Sequence, residues 1–280
     1  MSSRSRVDPY VAMLFVVVLA LFLPKLVLAD TRLYRELLTP RVLLTVGGAL
    51  KIGALLVAAL LAGRVARTFA TGDAMGRGWW LATAWLGCWA LGQCSFGVYQ
   101  IGLGTSAPFP SIGDVFFVLG YPAMIACFVL FVRAMLATGL VGTLRAQLVV
   151  ALIAAVPAVV LLIAVLRPVL LADAPPIERA LNVAYPVLDV VALVPTLLLA
   201  RFALRLAGGA VFVVWALLSL GIVCLVAGDL LYGWFSSLSF SALDPLLDVA
   251  FIAAYLVVAR AVYQQHRISV PTRARSDGAA

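Results

Sequence analysis

Long unbroken apolar runs, rather than an alternation of apolar and polar positions, dominate the chain. A helix needs about 20 mainly apolar residues to cross a hydrocarbon core ~30 Å thick. Runs of that kind occur at 10–29, 42–63, 79–103, 112–136, 146–166, 180–204, 210–236 and 246–263. Between them lie short segments rich in Gly, Pro, Ser or Arg, such as 64–78, 104–110, 167–177 and 236–245. The pattern predicts an all-α fold, a polytopic transmembrane helical bundle of eight spans.

The first of these spans has two readings. Residues 1–29 carry Arg4 and Arg6, an apolar run Tyr10–Leu23, the breaker Pro24, and Val27-Leu28-Ala29 ahead of Asp30. That order suits a retained first transmembrane helix or a cleaved signal peptide, and cleavage would leave seven spans. Beyond it, a transmembrane helical domain is expected over 30–263 and a short cytoplasmic tail over 264–280.

Composition agrees with a lipid-facing surface. Hydrophobic residues make up 65% of the chain, charged residues 11%, and the mean hydropathy is +1.14. A soluble domain carries about a quarter charged residues. Of the 20 basic residues all but Lys25 and Lys51 are Arg, a bias that fits a GC-rich bacterial source and hence a bacterial inner membrane. The pI near 9.7 does not imply nucleic acid, because the Arg residues are scattered between apolar runs instead of lining one face.

The scatter sets an orientation. With both termini inside, the cytoplasmic segments hold Arg4, Arg6, Arg64, Arg67, Arg77, Arg133, Arg145, Arg201, Arg205, Arg260, Arg267, Arg273 and Arg275. The outer loops after the third and seventh spans hold no Lys or Arg, and the loop after the fifth holds Arg167 and Arg179. The positive-inside rule therefore places the C-terminus in the cytoplasm. The first outer loop is the exception, with Lys25, Arg32, Arg35 and Arg41.

Two stretches are alike. Gly92-Gln93-Cys94-Ser95-Phe96-Gly97, Asp114-Val115-Phe116-Phe117 and Tyr121 match Gly228-Asp229-Leu230-Leu231-Tyr232-Gly233, Asp248-Val249-Ala250-Phe251 and Tyr255. Each is a span running outward, a polar turn and a span running back, the arrangement of an internal parallel repeat.

Ionisable groups inside a bilayer are costly and raise a functional question wherever they stand. Asp114 and Asp248 lie at the outer ends of their spans, Asp229 in the outer half, and Asp189 about 10 residues, or ~15 Å, down its helix. Lys51 and Gln93 lie within spans. Four Asp residues have a Tyr on their own helix face: Asp114 with Tyr121, Asp189 with Tyr185, Asp229 with Tyr232, and Asp248 with Tyr255. Together these ten residues form the candidate ligand-binding set, a polar pocket open to the outer side for a small cationic or polar ligand. The competing reading is structural. Asp–Tyr, Asp–Lys and Gln pairs glue membrane helices together at about 0.6 kcal/mol each. Asp114, Asp244 and Asp248 also suit helix N-termini, where a carboxylate accepts free N–H groups.

Other chemistry finds no support. His266, the single His, falls in the tail, and Cys88, Cys94, Cys127 and Cys224 lack metal-ligand spacing. No catalytic residue, metal ligand or cofactor is assigned. Trp79, Trp80, Tyr99, Tyr232 and Trp234 fall near span ends, where interfacial aromatic belts are expected. Pro122 and Pro186, each directly after a Tyr, are positions for helix kinks.

The run Pro108-Phe109-Pro110-Ser111-Ile112-Gly113-Asp114-Val115-Phe116-Phe117-Val118-Leu119-Gly120-Tyr121-Pro122 resembles a signature of multi-pass sensor regions. Such regions precede GGDEF, EAL or histidine kinase domains in bacterial proteins. Ala184-Tyr185-Pro186-Val187-Leu188-Asp189 and Gly228-Asp229-Leu230-Leu231-Tyr232 agree with it, and the resemblance covers roughly 42–263. It implies a seven- or eight-helix sensory module. Only Gln264–Ala280 follows Tyr263, too short for an output domain, so cyclase or kinase activity is not carried over. The expected function is a sensor-like or regulatory module acting through a cytoplasmic or membrane signalling partner, with a homo-oligomer left open. The alternative is a small transporter or membrane enzyme using intramembrane Asp and Lys.

Overall fold

The computed structural model describes residue 36 and residues 39–276, apart from 106, 140–142, 172 and 238–243. The first predicted span, with its two readings, lies outside the described residues. Seven long helices follow: α1 Pro40–Ala66, α2 Ala74–Gly97, α3 Ile112–Ala137, α4 Leu144–Leu171, α5 Pro176–Arg205, α6 Ala210–Ser237 and α7 Asp244–Ser276. No strand occurs among the described residues. Each helix contains most of one predicted apolar run, although α2 stops before its run ends and α7 continues well past its own.

Local chemistry explains several of the boundaries. Thr39 caps α1, its hydroxyl accepting from the Val42 amide at 3.3 Å, with Pro40 in the first turn where its missing N–H costs nothing. Asp73 caps α2 by accepting from Met75 and Gly76. The last turn of the third predicted span widens into a π-helical stretch, Val98–Gly102, so α2 stops at Gly97. The largest departure is at the C-terminal end. α7 continues unbroken to Ser276, so the helix runs on through residues 264–276, past the end of its predicted apolar run. At 1.5 Å per residue this helix is ~50 Å long, well beyond a ~30 Å hydrocarbon core.

Six helices close a ring. α1 packs on α2, α2 on α3, α3 on α5, α5 on α6, α6 on α7, and α7 returns to α1. The remaining helix, α4, lies outside the ring against α5 and α6. It is the most apolar and the least buried helix, presenting Leu152, Ile153, Val160 and Ile163 outward. Five helices, α1 and α3 to α6, are long and apolar enough to cross a membrane. The protein is a helical membrane bundle whose apolar surface suits contact with lipid.

Small residues let the ring close. A Cβ on Gly92 would lie 2.8 Å from the Phe117 ring, and one on Gly228 would lie 3.2 Å from the Phe251 ring. Both glycines admit an aromatic ring from the next helix, on α2–α3 and on α6–α7. Trp79 departs from its expected interfacial place. It is 1% exposed and stacks with Phe131 and Trp215, while its neighbour Trp80 faces outward beneath the Arg67 guanidinium.

Candidate functional site

The polar residues singled out by sequence gather at one end of the ring, where α2 and α6 end and α1, α3, α5 and α7 begin. Ser111 opens α3, and its amide and hydroxyl both donate to Asp114 Oδ2, at 2.6 and 2.8 Å. The reciprocal arrangement is a capping box, in which a carboxylate one turn into the helix reaches back to the cap. Asp114 is thus a capping residue, as its place in the sequence suggested. It has a second task, because its other oxygen accepts from the Tyr185 hydroxyl on α5 at 2.8 Å.

The same two helices are joined again deeper in the bundle. Tyr121 on α3 donates to Asp189 Oδ1 on α5 at 2.6 Å. The expected same-helix pairs, Asp114 with Tyr121 and Asp189 with Tyr185, are therefore exchanged across the helix boundary. α3 and α5 run in the same direction, so each can offer an Asp and a Tyr to the other. Both Tyr121 and Asp189 are 2% exposed. Pro122 and Pro186 directly follow the two tyrosines, and both helices run on through them.

On the other side of the ring, Lys51 of α1 pairs with Asp248 Oδ1 of α7 at 3.5 Å. The pair is partly open, with side-chain exposures of 19% and 42%. Gln93 of α2 donates to the Tyr255 hydroxyl of α7 at 3.5 Å, a long contact. Asp229 of α6 is half-buried and lies within electrostatic reach of Asp189, Tyr121, Tyr185 and Tyr255. Tyr232, expected beside Asp229, is 53% exposed and points away from the cluster. A separation of three residues leaves two side chains about 60° apart around the helix, enough to part them here.

One member went unrecognised in the sequence. Trp89 on α2 is 4% exposed and stands at the middle of the cluster. Its ring meets Tyr121 at 5.5 Å and Tyr255 at 6.3 Å between centroids, and its indole N–H donates to the Phe117 carbonyl at 3.1 Å. It lies one turn before Gln93, and that same-face relation was the available signal.

The arrangement has two features with chemical consequence. Every helix of the ring contributes one of these clustered polar side chains, whereas none of them comes from α4. Asp189 Oδ2 is also buried without a hydrogen-bond partner. A buried carboxylate oxygen without a donor carries a desolvation cost that a ligand donor would relieve.

No family model, characterised protein or solved structure matches the chain.

Proposed function

We propose that the chain is a sensor-like or regulatory membrane module whose ligand-binding element is this polar cluster. The observation that carries the reading is the convergence of six helices on one layer of polar side chains. A ligand that alters bonding there acts on every helix of the ring at once. α7 bears Asp248 and Tyr255 in that layer and continues to Ser276 with Arg260 and Arg267 along its length. A continuous helix can carry a displacement from the cluster to a partner at the opposite end.

The distribution of Arg supports an orientation in a bacterial inner membrane, with the polar cluster outward and the C-terminus cytoplasmic. In this reading all seven described helices cross the bilayer, and the run at 10–29 adds an eighth span unless it is cleaved. The matched Gly92–Phe117 and Gly228–Phe251 contacts support a parallel repeat relating α2–α3 to α6–α7. The Asp and Tyr of α3 then engage α5 where those of α7 engage α1 and α2.

Native mass spectrometry of the gently extracted protein tests the reading. A sensor module retains a small ligand or a partner chain, and Asp189→Asn lowers the ligand occupancy. Substrate-dependent flux in proteoliposomes would instead make the chain a transporter and end the sensor reading.

A further inference from the structure

We infer that Arg201 and Arg205, at the end of α5 away from the polar cluster, bind the phosphate group of an anionic phospholipid. The inference goes beyond the sensor-like reading and does not depend on it. Three observations carry it.

The first is an unmet donor. The Arg201 side chain is only partly exposed, and its Nε is buried without an acceptor. Among the described residues its guanidinium makes no hydrogen bond or ion pair. A buried N–H without a partner carries a desolvation cost that a bound oxygen relieves. Arg205, one helical turn on, is exposed and likewise has no partner among the described residues. Residues four apart on a helix are neighbours, with Cβ atoms about 6 Å apart, and like charges so placed repel. One anion lying against both satisfies the donor and removes the repulsion.

The second is the lack of an internal counter-charge. Among the described residues Asp73 is the sole acid at this end of the bundle, and it is occupied in capping α2, accepting at 2.6 and 3.2 Å. Arg64, Arg77, Arg133 and Arg145 add to the positive charge there. Lys51, at the opposite end, faces Asp248 instead. The anion for α5 therefore comes from outside the chain.

The third is the surface next to the pair. Val190, Val194 and Leu197 stand eleven, seven and four residues before Arg201, the spacing of a single helix face. All three are partly exposed, so an apolar track runs from the guanidinium toward the middle of the bundle. Leu204, three residues after Arg201, is 69% exposed. Charge at the helix end and an apolar track below it match a phospholipid, with its head group on the arginines and an acyl chain along the track. A free phosphate makes no use of the track. The guanidinium fork suits two phosphate oxygens, and basic residues at a membrane surface attract anionic lipids.

The test uses the full chain in detergent micelles, with thermal unfolding followed as lipid is added. Phosphatidylglycerol, phosphatidylcholine and soluble glycerol phosphate are compared at fixed pH and ionic strength. The expected result is a melting temperature that rises with the logarithm of phosphatidylglycerol concentration, because only the folded state binds. Phosphatidylcholine, whose choline cancels the phosphate charge, and glycerol phosphate, which has no acyl chain, leave it unmoved at the same concentrations. Arg201→Gln and Arg205→Gln each weaken the apparent affinity about tenfold. Arg201→Lys, which keeps the charge without the fork, recovers only part of that loss. Arg64→Gln, which removes an exposed charge from the same end of the bundle, changes nothing. Arg205 is exposed at the last residue of α5, so its variant carries the test even where Arg201→Gln fails to fold. Equal weakening by Arg64→Gln would mean general attraction to a basic surface and overturns the site. A shift of the same size with phosphatidylcholine or glycerol phosphate overturns the anionic lipid as its occupant. A phosphatidylglycerol shift that survives in the folded Gln variants overturns both.

Discussion

The Tyr121 hydroxyl reaches across the bundle to Asp189 Oδ1 at 2.6 Å, and both partners are almost wholly buried. The bond joins residues 68 positions apart and sits beneath a second bond of the same type, from Tyr185 to Asp114. Together they clamp two helices that are not consecutive in the chain.

That clamp predicts an asymmetric cost. Tyr121→Phe leaves Asp189 buried with neither oxygen bonded and should destabilise the protein by about 1–3 kcal/mol in reversible unfolding. Asp189→Asn, which still accepts from Tyr121, should cost less. Equal and additive losses in the double variant would show that the two side chains do not interact.

Asp114 serves both a cap and a clamp. Asp114→Ala should cost more than the ~1 kcal/mol typical of a lost cap, because the Tyr185 hydroxyl loses its acceptor as well. Tyr185→Phe should remove only the second part. Thermal melts of the two variants check the order.

The Lys51–Asp248 pair is open to its surroundings at 3.5 Å, so Lys51→Met should change stability by no more than about 1 kcal/mol. Raising the salt concentration should shrink the difference from wild type. A loss several times larger would mean that Lys51 compensates acids deeper in the cluster.

Gly120 faces Trp89 so closely that a methyl group there would run into the indole ring. Gly120→Ala should therefore displace Trp89 or the α2–α3 contact, at about 1–3 kcal/mol. Changed tryptophan fluorescence alongside the lower melting temperature would place the effect at Trp89.

Orientation is open to labelling. Thr71, between α1 and α2, and Thr105, between α2 and α3, are both exposed and lie at opposite ends of the bundle. A membrane-impermeant maleimide applied to intact cells should modify Thr105→Cys directly and Thr71→Cys only after permeabilisation. The reverse pattern would invert the assignment of the polar cluster to the outer face.

Apolar run length and turn residues are local properties, and by themselves they located the seven described helices and the order of the polar side chains along each. Asp114 as a capping residue was legible for the same reason, since Ser111 and Asp114 are three positions apart on one helix. The rotation of each helix about its own axis was not legible. In a soluble helix an apolar stripe marks the inward face, but here the lipid side and the packed side are both apolar and no stripe separates them. Proximity along one helix therefore suggested Tyr232 beside Asp229, and it paired each Tyr with the Asp of its own helix. Tertiary packing turned Tyr232 outward, brought the unremarked Trp89 to the centre, and exchanged the Asp–Tyr partners between α3 and α5. It also left Asp189 with an unbonded oxygen, a property that exists only once neighbouring helices have decided which donors come within reach.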